Sequence, residues 1–204
     1  MKMVAPFAIA LAATALGLGS AAVWGIRAPA TPSPSIVATS HIAPQSLADA
    51  AWTETKWPFL LDQWGIGKAF TCTPADCGIK IDVVIRPKIG FCNCSTGVSD
   101  DTELERVADT DLISSKTQPL GPSHPVKVGW MRGLGRAYAA DEKAGERLLS
   151  IAFSDECDVV VATARLGHGD PAVIEPAVLA FLNSKPMVLW TKKELGLEYV
   201  RRDW

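Results

Sequence analysis

"ERLLSIAFSDECDVVVATARL", residues 146–166, decides the fold. Leu149–Phe153 and Asp158–Thr163 are dense in apolar and β-branched residues. Ser154, Asp155 and Glu156 lie between them, a polar break the length of a hairpin loop. The segment that follows, "DPAVIEPAVLAFLNS", places Asp170 at an N-cap and Pro171 at the first helical position, a strong helix start. Val173, Ile174, Val178 and Phe181 recur at helical spacing and are the expected anchors of that helix. Pro176 falls inside it and is expected to bend it.

Working back from the hairpin, Ile79, Ile81, Val83 and Ile85 alternate with Lys80, Asp82 and Arg86. That is the period-two pattern of a half-buried strand. Pro87 ends this strand or puts it at an edge. A second β-like run precedes it, and Thr73-Pro74-Ala75-Asp76 between them reads as a turn. In "SDDTELERVADTDLI", Ser99 is the expected N-cap, and Asp100, Asp101 and Glu103 crowd the positive end of a helix. Leu104, Val107 and Ala108 share one face of it. "KTQPLGPSHPVK" reads as a loop carrying three prolines. A short helix is expected over Thr191–Leu197. The order is strand hairpin, helix, several antiparallel strands, C-terminal helix. With short connections it predicts an α+β domain: a twisted antiparallel sheet with helices packed on one face.

That element order, with its closing strand–strand–helix, resembles the layout of PsbP/Mog1-type domains. "WPFLLDQWGIGKAF", "IRPKIGFCNC" and "VGWMRGLGRAY" are similar to a family of exported alphaproteobacterial proteins. The similarity covers most of the chain beyond residue 50 and implies no particular activity.

The N-terminus has one lysine, then an uncharged run from Met3 to Ile26. This is the pattern of a secretory signal peptide, with small residues at Ser20-Ala21-Ala22 for cleavage. The run is also long enough for an uncleaved membrane anchor, and Lys2 and Arg27 leave its orientation nearly balanced. Residues 1–26 are therefore expected to be a signal peptide or anchor, 27–50 a Pro/Ser/Ala-rich linker, and 51–204 a single domain. His41 lies in the linker alone and reads as solvated. The expected location is periplasmic or secreted, free or tethered to the inner membrane, with membrane contact only through the N-terminal segment.

The formal net charge of −2 offers no basic footprint for nucleic acid. Five cysteines leave at least one without an intrachain partner. In an exported domain the default is disulfides. Cys72 and Cys77 flank a four-residue loop, and hairpin spacing pairs them across strands. Either Cys92 or Cys94 is expected to reach Cys157, or the two pair with each other across a turn. The alternative is metal or redox chemistry: Cys72, Cys77, Cys92 and Cys94 as four zinc thiolates, or the C-x-C pair holding Cu(I). Neither spacing matches a zinc knuckle in both halves, and His124 and His168 lie in distant loops.

No catalytic residue and no cofactor is assigned. Gly65 and Gly67 before Lys68 lack the spacing of a phosphate loop, and no Gly-x-Ser-x-Gly elbow occurs. The acidic run 100–111 lacks the offsets of a calcium loop. Arg132 and Arg136 offer a small anion-binding spot or are solvated strand residues. Trp52, Trp57 and Trp64 cluster near the domain start and read as core wedges or as a ligand or partner surface. The chain thus reads as a disulfide-stabilised accessory or binding domain for an unidentified protein or small molecule. The alternative is a thiol-redox or metal-carrying protein.

Overall fold

The computed structural model describes residues 50–140 and 145–197. The expected signal peptide or anchor, and the linker except Ala50, lie outside the described residues. Eight strands form one antiparallel sheet: β1 (Trp52–Thr55), β2 (Lys68–Cys72), β3 (Ile81–Lys88), β4 (Thr117–Pro119), β5 (His124–Val128), β6 (Met131–Ala140), β7 (Arg147–Asp155) and β8 (Asp158–Gly167). Their spatial order is β1-β2-β3-β8-β7-β6-β4, and β5 also pairs with β6. Four helices join them: α1 (Pro74–Cys77), α2 (Asp101–Val107), α3 (Pro171–Leu182) and α4 (Lys185–Glu194).

The deciding stretch forms the hairpin β7–β8, with strands longer than the apolar runs alone suggest. The turn tightens to Glu156-Cys157, Asp155 pairs with Asp158, and Glu156 takes a left-handed φ of 51°. β8 is inserted between β3 and β7, so it has a partner on both sides. It is also covered on both faces, which explains its unbroken apolar run "VVVATA".

One face carries Phe70, Val83, Ile85, Leu149, Ile151, Phe153, Val160 and Ala162. They pack against Ile174, Val178, Phe181 and Leu182 of α3 and Met187 of α4. The α3 stripe runs through 174, 178 and 181–182, so Val173 falls outside it and is 59% exposed. Asp170 caps α3 by accepting from Ala172 N at 3.0 Å. The other face carries a smaller layer, in which Leu104 and Val107 of α2 cover Leu134, Ala152, Val159 and Val161. The cap of α2 is Asp100, one residue past the expected Ser99, because its carboxylate accepts from Glu103 N at 2.8 Å. Pro87 lies inside β3, which is internal rather than at an edge. The β2 partnership ends at Ile85, so β3 has a free side where Pro87 sits. The last helix is α4, starting at Lys185, well before the expected Thr191.

Two expectations are corrected together. Membrane contact was expected only through residues 1–26, with periplasmic or tethered placement following from it. Among the described residues no single helix is long and apolar enough to cross a membrane. The pair α3–α4, bent by 67°, passes the same length and composition test together. Among the described residues, the stretch that passes this test is thus C-terminal, although its Ile174, Val178, Phe181 and Met187 are buried against the sheet.

Candidate functional site

β1 and β2 are joined by residues 56–67, and the last turns of β3 hold this loop down. Arg86 and Lys88 alternate onto the α2 face of the sheet, where both are buried. The Arg86 guanidinium donates to Asp109 from Nε (2.8 Å to Oδ2) and Nη2 (2.6 Å to Oδ1), and from Nη1 to Asp62 Oδ2 at 2.6 Å. Lys88 Nζ donates to Val107 O at 2.7 Å and lies 2.8 Å from Asp109 Oδ1. Burial works against the charge on Arg86, but the hydrogen bonds to Asp109 and Asp62 outweigh it and its pKa is raised. Asp62 is held below the usual carboxylate range, first by the Arg86 hydrogen bond. It also accepts from Trp64 N at 2.8 Å, which ties the loop to itself. Gly67 lets the loop meet β3. A Cβ there would lie 2.2 Å from Ile85 O and 2.8 Å from Trp57 Cζ3.

This pinned loop presents Leu60, Leu61 and Ile66 outward, while its Trp57, Phe59 and Trp64 are half-buried. Leu60 is 92% exposed, Leu61 71% and Ile66 66%, and Ile89 beyond β3 is 55% exposed. Trp64 lies on Phe91 with ring centroids 4.3 Å apart. Lys88 Nζ sits beneath both rings, 5.7 and 5.6 Å from their centroids, and Arg106 stacks on Phe91 at 4.5 Å. Scattered apolar residues are ordinary on a protein surface, but Leu60 and Leu61 are chain neighbours that are both exposed, a candidate interaction surface.

The cysteines resolve into two bridges and one thiol. Cys72–Cys77 closes with Cα atoms 6.0 Å apart, and Cys94–Cys157 with Cα atoms 4.0 Å apart. Cys77 does not oppose Cys72 across a hairpin, as spacing alone suggests; that position belongs to Ile81. The single turn of α1 returns the chain instead. Cys92 is the free, buried thiol. Its backbone N–H donates to Cys157 O at 3.0 Å, and its Sγ donates to Glu156 O at 3.3 Å. Burial, foremost, raises the pKa of this thiol. The four-thiolate zinc alternative is overturned, because three of its four sulfurs, those of Cys72, Cys77 and Cys94, are in disulfides. Among the described residues no group of three or more His, Cys, Asp or Glu is placed to hold a metal ion.

Beside the Cys94–Cys157 bridge is an open polar notch of about 280 Å³, lined by Cys94, Ser95, Thr96, Trp130, Arg132 and Glu156. Arg132 has no ion-pair partner among the described residues. Arg136 does not share this notch. It donates to Gly121 O at 2.7 Å and Glu105 Oε1 at 2.9 Å, bracing the loop before β5. The tryptophans also separate. Trp52, half-buried, stacks on Phe181 at 4.6 Å against the core. Trp57 meets Phe59 edge-on at 5.5 Å, and its buried indole N–H has no partner among the described residues. Trp64 lies half-buried on Phe91 within the 56–67 loop. A second cavity of about 230 Å³ is lined by Phe59, Ala69, Val84, Asp82 and Arg165 among others.

The sequence reading passed over Leu60, Leu61 and Ile66. They sit in a run, "WPFLLDQWGI", with neither strand nor helix period, which was the available signal. No protein-family model, no curated protein and no solved structure matches the chain.

Proposed function

We propose that this is a disulfide-stapled binding domain without catalytic machinery, which docks an apolar segment of a partner protein on the 56–67 loop. The observation that carries this reading is the adjacent pair Leu60 and Leu61, 92% and 71% exposed on a loop fixed by a buried ion network. A loop already ordered loses little conformational entropy on binding. Trp64 and Arg106 beside it are residue types enriched at binding hot spots. A protein partner fits better than an anionic lipid surface, which draws on free cations. Here Lys68 is paired with Glu54, Lys88 with Asp109 and Arg106 with Glu103, which leaves Lys56 as a lone exposed cation on the loop where an anionic surface draws on a cluster.

The test places a photo-crosslinking amino acid at position 61, and as a control at position 173, exposed at the start of α3. Illumination in the cells that make the protein is expected to give one discrete protein adduct from position 61. Leu60→Ser in the same chain should abolish it, and position 173 should give none. Lipid adducts, self-adducts only, or equal adducts from both positions overturn the reading.

A further inference from the structure

We propose that the corner formed by Cys92, Cys94 and Cys157 is a thiol–disulfide exchange site, in which Cys92 displaces Cys94 from Cys157. Two cysteines one residue apart compete for one partner. Cys94 holds the bridge, yet Cys92 is the residue whose backbone is hydrogen-bonded to Cys157, at 3.0 Å. Its sulfur rests on the carbonyl of Glu156, the other residue of the β7–β8 turn. The buried thiol is therefore packed on the two-residue turn that carries the bridge.

The chemistry balances without an outside oxidant or reductant. The Cys92 thiolate attacks Cys157 Sγ, the Cys92–Cys157 bond forms, and the Cys94–Cys157 bond breaks. The electron pair leaves on Cys94, which takes up the proton released by Cys92. The number of disulfides is unchanged.

What changes is where the thiol is. Cys92 is 7% exposed, whereas Cys94 is exposed and lines the polar notch with Arg132. Burial disfavours a thiolate at Cys92, whereas Cys94 lines a notch open to solvent that also holds Arg132 and Glu156. Exchange thus carries a reactive sulfur from an apolar pocket to an open notch with an unpaired arginine. The released loop keeps local ties: Asn93 Oδ1 accepts from Ser95 N and Thr96 N at 2.9 and 3.3 Å, and Gly97 N donates to Asn93 O at 2.7 Å. The ligand class that suits the notch is a small polar disulfide or soft electrophile.

The experiment alkylates the oxidised full chain with iodoacetamide under native conditions and maps labels and bridges by peptide mass. The expected result is label on Cys94 with Cys92 bridged to Cys157, forming faster as pH rises. Label on Cys92 with the Cys94–Cys157 bridge intact overturns the proposal, as does absence of label until the chain is unfolded. In a second arm, Cys94→Ser is purified under oxidising conditions. Loss of both remaining free thiols to a Cys92–Cys157 bridge supports exchange, and a Cys157 that stays reduced in the folded variant refutes it.

Discussion

Arg86 and Asp109 meet in a two-point ion pair with both side chains 4% exposed, and Lys88 approaches the same carboxylate at 2.8 Å. One buried anion therefore serves two buried cations, and Asp62 satisfies the remaining side of the guanidinium from the loop. This cluster welds the apolar loop to the sheet.

Removing that anion leaves buried Lys88 without its anionic partner and buried Arg86 with Asp62 alone. Asp109→Ala is expected to cost about 3–5 kcal/mol, the usual penalty for breaking a buried pair from one side. Asp62→Ala should cost much less, since that carboxylate is 37% exposed. Urea denaturation of the two variants checks the order, and equal losses would contradict the proposed division of roles.

Acid should loosen the loop through Asp62. Its pKa is lowered in the fold from the ordinary 3.8, first by the Arg86 hydrogen bond. A depressed carboxylate contributes stability that is fully present above the unfolded value and lost as pH falls through the lower folded value. The stability difference between wild type and Asp62→Asn should therefore be flat above about pH 5 and shrink below about pH 4. A difference that grows on acidification would reverse the sign of the argument.

Phe181 joins α3 to the sheet edge, 4.6 Å from Trp52 and 4.8 Å from Phe70 between ring centroids. Phe181→Ala is expected to cost about 3–5 kcal/mol. Val173→Ala, on the exposed side of the same helix, should stay within about 0.5 kcal/mol of wild type. Thermal unfolding of both variants measures the contrast.

The bridges differ in what they constrain. Cys94–Cys157 spans 63 residues and Cys72–Cys77 spans five. Chain entropy assigns them about 4 and about 2 kcal/mol. Replacing both members of the long bridge by alanine should lower the denaturation midpoint further than replacing both of the short one. The reverse order would mean that packing of the fully buried Cys72, rather than loop closure, dominates.

By itself, the sequence determined the elements whose causes are local. The alternation before Pro87, the cap and proline at 170–171 and the apolar runs around 154–157 each act over a few residues, and each produced the expected strand or helix. It also limited the cysteine pairings to a short set. Tertiary structure decided what depends on distant segments. Cys92 and Cys94 have nearly the same local surroundings, and only docking of the 89–98 loop on the β7–β8 turn distinguishes the bridged sulfur from the buried thiol. Val173 and Ile174 are equally apolar neighbours, and the phase of α3 against the sheet buries one and exposes the other. Leu60 and Leu61 carry no local instruction to face water. What fixes the neighbouring Asp62 is Arg86, 24 residues away along the chain.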